Sequence, residues 1–301
     1  MGRISFQDEI ARNKRSSLLL VVFVSVILFA LVYVFVYLIA PGYIVVALPI
    51  SLFLIVLYAY SSYRYGDSVV LASTNARPAE GREYQHLRDT VEGLSIAAGI
   101  PVPKVYVVES EEMNAFATGR DPEHASVAVT TGLLGELDRL ELEGVLAHEL
   151  SHIKNRDILF MTLVAVLVGL AAILSHVILR TFRYGGFRRG RRDKRGGGIE
   201  VIVLLVGFVL AIFAPIVTRL VQFTVSRKRE YLADASGAEL TRYPDGLASA
   251  LEKMMKRNRG KMEVSEAVSH IFFVDPNRSP LDSLYATHPP IEERIKRLRA
   301  M

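Results

Sequence analysis

From Ser16 to Ala40 the chain carries no charged side chain. A helix of that length crosses a hydrocarbon layer of about 30 Å, and in lipid a helix satisfies every peptide group internally. The basic residues Arg3, Arg12, Lys14 and Arg15 precede this run. Pro41 and Gly42 then interrupt it, and residues 43–60 form a second uncharged run that stops before Arg64 and Asp67. Two spans joined by a tight turn predict an N-terminal transmembrane hairpin over residues 1–60. A cleaved signal peptide fits less well, because the first run is too long, no small-residue cleavage site follows it and another span comes directly after. Basic residues flank both open ends of the hairpin, so the positive-inside rule puts the N-terminus and the region beyond Arg64 in the cytoplasm.

The rest of the chain divides by charge. Residues 61–157 read as water-facing α+β: Tyr84–Ala98 has a helical pattern, Lys104–Val108 and Ser126–Thr131 read as strands, and a helical pattern resumes from Gly135. Residues 158–179 and 199–218 are apolar again and predict a second hairpin over 158–218. The loop inside it holds Arg183, Arg188, Arg189, Arg191, Arg192, Lys194 and Arg195, a density of positive charge that the same topology rule keeps in the cytoplasm. The second hairpin therefore either carries that loop across the membrane or is only partly embedded. Residues 219–301 return to charged, helical character. The glycines 196–198 form a linker and not a phosphate cradle, since no strand-to-helix turn with a P-loop lysine accompanies them.

Composition narrows the chemistry. With 51% hydrophobic residues and a mean hydropathy of +0.29, the chain is oilier than a soluble domain, in keeping with the apolar runs. It has no cysteine, so a metal would have to be held by His, Asp or Glu. The net charge of +5 and pI near 9.3 reflect basic clusters beside apolar segments, which suit lipid head groups and membrane topology rather than nucleic acid.

His148-Glu149-Leu150-Ser151-His152 is an H-E-x-x-H sequence within the helical pattern. Positions four apart share a helix face, so both imidazoles reach one ion while Glu149 sits at its edge. Neutral imidazole suits Zn2+, and catalytic zinc takes three protein ligands and leaves one position for water. Glu149 is then placed to act as general base. Gly144, Ala147 and Ser151 are small, which predicts room beside the helix for the ion and a substrate. The third ligand should be a carboxylate, and the best candidate is Glu230 in Arg229-Glu230-Tyr231-Leu232-Ala233-Asp234, just past the last apolar run. Asp234, one turn on, is placed to buttress a ligand histidine. An ordinary charged helix face is the alternative for this pair.

The combination of His148-x-x-x-His152, Glu230-x-x-x-Asp234, Asn114-Ala115-Phe116-Ala117-Thr118-Gly119 and Thr287-His288-Pro289-Pro290 resembles the HtpX heat-shock membrane proteases, relatives of the CAAX prenyl protease, and does so over nearly the whole chain. The resemblance implies a membrane α-helical protein with an α+β, zincin-like (gluzincin) protease domain, helix-dominated with a small β-sheet. It also implies zinc on the cytoplasmic side, Glu230 as third ligand and a role in clearing misfolded or damaged membrane proteins. By the same resemblance, Asn114, Ala115 and Phe116 lie beside the substrate cleft, near an edge strand that pairs with an extended peptide. A tight turn suits Asn114 and Gly119 equally well. His288 would approach the site in a rigid loop, or else simply precede the last helix. Tyr231 is a further candidate electrophile, whereas His86, His124, His176 and His270 have no partner at ligand spacing. Two other functions remain in view: a prenylated-protein peptidase, for which the chain is short, and a non-catalytic membrane scaffold or chaperone stabilised by zinc, for which Glu149 would be superfluous.

Overall fold

The computed structural model describes residues 6–39, 41–169, 227–262, 264–277 and 289–301. Helix α1 (Phe6–Ile39) and helix α2 (Ile44–Ser73) form an antiparallel hairpin closed by a single 3-10 turn at Pro41–Tyr43. Candidate membrane spans within them cover Asn13–Val34 and Pro41–Ser73. Leu18, Leu19, Val22 and Phe23 on α1 and Val45, Val46, Ile50 and Phe53 on α2 are exposed, a continuous apolar surface that suits lipid contact. Helix α2 does not stop at residue 60. Arg64 and Asp67 do not break a helix, and the element runs on to Ser73, so the apolar stretch and the charged turns after it belong to one helix.

After α2 come β1 (Arg77–Pro78), α3 (Gln85–Ala98), β2 (Lys104–Val108), β3 (Ala115–Gly119) and β4 (Ala125–Thr130). The sheet order is β1-β2-β4-β3, with β2 and β4 parallel and the other pairs antiparallel, so among the described residues β3 is an edge strand. Strands β3 and β4 are buried along their whole length. Alternate side chains enter two cores. Ala115, Ala117, Val127 and Val129 face one core with Leu146 and Leu150, whereas Phe116 and Ala128 face another with Val70, Leu71 and Met161. The end of α2 thus packs on the back of the sheet.

The chain continues through α4 (Thr131–Glu136), α5 (Arg139–Lys154) and the apolar helix α6 (Asp157–Gly169). Helix α6 is the described start of the predicted second hairpin. Its Phe160, Leu163 and Val164 are buried against Leu20 and Val24 of α1. The remainder of that hairpin, with the arginine-rich loop and His176, lies outside the described residues. Then follow α7 (Arg227–Thr241), α8 (Pro244–Arg257), α9 (Glu266–Ser269) and α10 (Ile291–Leu298), and α5 packs directly on α7 and α8. The two helical stretches on either side of the apolar insertion therefore meet in one body.

Candidate metal centre

Helix α5 begins with a capping box: Asp138 accepts from the Glu141 N–H at 3.0 Å and Glu141 returns the bond to the Asp138 N–H at 2.8 Å. From that start the apolar residues Leu142, Val145, Leu146 and Leu150 enter the core, and His148, Glu149 and His152 are buried with them. The imidazoles of His148 and His152 stand edge to face with 4.8 Å between ring centroids, and their Nε2 atoms are 3.2 Å apart.

Glu230 comes from α7. A Cβ added at Gly237 would lie 3.0 Å from the His148 nitrogen and 3.3 Å from the Ala147 carbonyl carbon, so the two helices approach as closely as they do because this residue has no side chain. One further close approach occurs at Gly144, whose missing Cβ makes space for the Leu247 backbone. The small residues at 144 and 147 thus admit neighbouring helices, a correction to the expectation that they leave room for an ion or a substrate. Glu230 presents Oε1 3.6 Å from His152 Nε2 and Oε2 3.8 Å from His148 Nε2. One ligand atom from each of the three residues falls within 4.8 Å of the others.

These donors fit zinc. A tetrahedral ion with ligand atoms about 2.0 to 2.2 Å away keeps them about 3.3 to 3.6 Å from one another. The two Nε2 atoms stand 3.2 Å apart, and the two Glu230 oxygens lie 3.6 Å from one and 3.8 Å from the other, close to that range. Each histidine, moreover, donates through its other nitrogen: His148 Nδ1 lies 2.9 Å from Asp234 Oδ1 and His152 Nδ1 lies 3.1 Å from Asp157 Oδ2. Those bonds fix the tautomer that leaves each Nε2 lone pair free to bind a cation.

Asp157 and Arg294 went unread in the sequence. On an unbroken helix residue 157 would point well away from residue 152. Arg156, however, adopts a left-handed φ of 58°, which ends α5 and folds the first residue of α6 back beside His152. Arg294 is fully buried and grips Asp234 with two bonds, Nε to Oδ2 at 2.9 Å and Nη2 to Oδ1 at 2.7 Å. It carries a signal that could have been found: Arg294 occupies the apolar stripe Ile291, Ile295 and Leu298, where a charge needs a buried partner.

Burial lowers His148 to about 4, despite its bond to Asp234 and with the help of the Arg294 charge. For His152 burial again opposes the charged form, but the Asp157 bond and the Glu230 charge outweigh it and raise the group to about 9. Burial lifts Glu149 to about 7 against the pull of His152, with Glu230 adding to the rise. Burial alone would raise Asp234 as well; the Arg294 charge and the His148 bond hold it at about 2. At neutral pH the imidazole pair therefore carries one proton beyond the two held at Nδ1, in the place a divalent ion would take.

The model of peptidase family M48 matches residues 82–301, which include all three donors and their buttresses Asp157, Asp234 and Arg294. The chain belongs to peptidase family M48. It is 47% identical over 301 residues to a protease HtpX homolog of Thermoanaerobacter pseudethanolicus, covering 100% of this chain and 99% of that protein. With a protease HtpX homolog of Listeria monocytogenes serotype 4a the identity is 42% over 305 residues, covering 98% and 99%. The crystal structure of S. mikatae Ste24p shares the fold, with a TM-score of 0.51 at 21% identity; the match covers 89% of this chain and 62% of that one. This M48 peptidase is accordingly a membrane-associated metalloprotease, helix-dominated with a small mixed sheet.

Around the metal centre of the M48 fold, the outward groups of β3 are already engaged. The Ala117 N–H donates to the Glu149 carboxylate, the Ala115 carbonyl accepts from the Phe273 N–H at 2.8 Å, and the Gly119 N–H donates to Thr162 Oγ1 at 3.2 Å. Asn114 clamps the segment that carries Phe273, donating to the Val274 carbonyl at 2.8 Å and accepting from the Val274 N–H at 3.1 Å. Asn114 and Ala115 therefore border the site through their polar groups, whereas the Phe116 ring turns to the other face of the sheet and packs on Phe272. Tyr231 is engaged outside the cluster, under the exposed guanidinium of Arg297 at 3.8 Å. His86 is exposed, His124 pairs with Asp121, and His270 is buried with Nε2 3.3 Å from the Met161 carbonyl. His288 lies outside the described residues.

Proposed function

We propose that this metalloprotease is a zinc-dependent endopeptidase in which His148, His152 and Glu230 hold the ion, Glu149 is the general base and Asp234 orients His148. The observation that carries the reading is the convergence of three buried donors, with each imidazole turned by a carboxylate so that Nε2 faces the other two. Zinc in such a site lowers the pKa of a bound water to about 7 and polarises the scissile carbonyl. Glu149 takes a proton from the attacking water and passes it to the departing amine, tasks for which its place next to His148 on α5, with the Ala117 N–H on its carboxylate, suits it. Asp234, held ionised by Arg294, keeps the His148 ring in register, and Asp157 does the same for His152.

The substrates we infer are polypeptides, above all misfolded or damaged membrane proteins, and not nucleic acid. The unbroken run of α2 from its apolar surface to Val70 and Leu71 under the sheet supports cleavage close to the bilayer. We assign that surface to the cytoplasmic face of a multi-pass cell membrane protein, from the basic residues at both ends of the first hairpin. In this reading residues 1–60 anchor the protein, 61–157 and 219–301 build one protease domain, and 158–218 form a second apolar hairpin between them. The cleft runs along β3, where a peptide adding as a strand displaces the Phe273 amide from Ala115. Asn114 and Ala115 border it through their polar groups.

Full-length protein in detergent, incubated with casein with and without a chelator, tests the reading together with Glu149→Gln. Cleavage that stops on chelation, and a variant that keeps its zinc yet cuts nothing, are expected. A fully active Glu149→Gln enzyme contradicts the mechanism, and a zinc-loaded wild type that cuts nothing favours the scaffold. Because the chain has no cysteine, single cysteines introduced at Glu80 and Arg189 report by labelling which side of the membrane each occupies.

A further inference from the structure

The first membrane helix reaches the metal centre through one side chain. Asn13 stands at the start of the first apolar span, where a carboxamide has no obvious place, and only 3% of it is exposed. Both hydrogens of its amide nitrogen are committed to residues 142 and 144 positions away in sequence: one to the Asn155 carbonyl at 3.0 Å, the other to Asp157 Oδ1. The second oxygen of Asp157 accepts from His152 Nδ1 at 3.1 Å. A continuous chain of bonds thus runs from α1 through Asn13, Asp157 and His152 to the proposed ligand atom His152 Nε2.

We propose that Asn13 is a positioning residue of the metal centre, so that the first transmembrane helix is part of the catalytic apparatus and not only its anchor. Asp157 is itself almost wholly buried. A buried carboxylate with one oxygen unsatisfied can rotate about its Cβ–Cγ bond to seek another partner, and the ring it steadies turns with it. By holding Oδ1, Asn13 fixes the carboxylate plane and hence the direction of the His152 lone pair. Helix α1 must therefore be seated against α6 for the centre to hold its ion at full strength. Ser17, one turn further on, bonds among the described residues to the Asn13 carbonyl at 3.0 Å and serves as the control on the same helix face.

The proposal rests on His152 being a zinc ligand, and zinc affinity tests the two separately. Chelator competition on the full-length protein in detergent gives the zinc dissociation constant for wild type, Asn13→Ala, Asn13→Leu and Ser17→Ala, each alone and in an Asp157→Ala background. Leucine keeps the volume and suits an apolar helix, so it covers the case in which the alanine variant inserts poorly. Expected is a loss of about tenfold for both Asn13 variants, the low end of what outer partners of a metal ligand contribute. Ser17→Ala should match wild type, and the Asn13 effect should vanish once Asp157 is gone. Cobalt substitution adds a second readout, since a turned imidazole alters the visible bands of the bound ion. Unchanged affinity in both Asn13 variants overturns the proposal while leaving the ligand set intact. An equal loss with Asp157 absent also overturns it, because Asn13 would then act through helix packing alone. A wild type that takes up no zinc overturns the ligand assignment and this proposal together.

Discussion

Arg294 and Asp234 meet in a fork, Nε to Oδ2 at 2.9 Å and Nη2 to Oδ1 at 2.7 Å, and the same Oδ1 accepts from His148 Nδ1 at 2.9 Å. The guanidinium also stacks on the Phe273 ring, 4.5 Å from its centroid. A planar, permanently charged fork is what a buried carboxylate with a second obligation requires, and a lysine could not supply it.

Removing the fork should therefore cost more than removing a surface ion pair. Arg294→Met leaves Asp234 buried without its main counter-charge, and breaking such a pair costs about 3 to 5 kcal/mol. Asp234 sits at about 2, below its ordinary 3.8, so the stability it contributes is fully present above 3.8 and is lost as pH falls through about 2. Thermal unfolding at pH 7 should show a large loss for Arg294→Met and a smaller one for Arg294→Met combined with Asp234→Leu. A double variant as damaged as the sum of the singles contradicts this coupling.

Zinc uptake should release a proton. His152 is raised from 6.5 to about 9 in the metal-free protein, so the contribution of its charged form is fully present below 6.5 and is lost as pH rises through about 9. His148, at about 4, is already neutral at pH 7. Binding thus displaces about one proton, and affinity climbs about tenfold per pH unit until the pH nears 9. Titration calorimetry in buffers of different ionisation enthalpy counts that proton, and a heat independent of buffer speaks against the assignment.

Gly237→Ala places a methyl group 3.0 Å from the His148 nitrogen and 3.3 Å from the Ala147 carbonyl carbon. Those are backbone atoms of a packed helix and cannot move alone. Helix α7 must shift outward and carry Glu230 with it, at a cost of about 1 to 3 kcal/mol for such overpacking. We expect lower zinc affinity together with a lower melting temperature. Unchanged affinity would mean that Glu230 is not held by this helix contact.

Asn114→Ala removes the clamp on Val274 and leaves two buried main-chain groups without their partner, worth about 1 to 3 kcal/mol each when unsatisfied. The segment that carries Phe273 should then leave the β3 edge more readily. Hydrogen exchange at the Phe273 amide reads this directly: faster exchange is expected, and wild-type protection would show that the edge is closed by other means.

What the sequence disclosed and what it withheld follow from range. The membrane hairpin and strand β2 were legible because each is written in consecutive residues, as an apolar run or an alternation, and Lys104–Val108 appears with the expected bounds. His148, Glu149 and His152 were legible because helical spacing alone brings them together. Arg64 and Asp67 end the uncharged run of residues 43–60 but not the helix, and they mark where it leaves an apolar surface. Strand β3 hid behind the turn formers Asn114 and Gly119. Asp157 was hidden by the left-handed Arg156, which defeats any periodic reading, and Asn13 by its 144-residue distance from Asp157. Only Arg294, a charge on the apolar stripe of a short amphipathic helix, was missed despite a local sign.

The central claim is that two imidazoles of α5 and the Glu230 carboxylate of α7 grip one ion. Zinc content per chain, measured on full-length protein equilibrated against a chelator buffer, tests it most directly when wild type is set beside Glu230→Ala. We predict one zinc ion per wild-type chain and almost none in the variant, with both proteins folded by circular dichroism. Wild-type occupancy in Glu230→Ala would contradict the account.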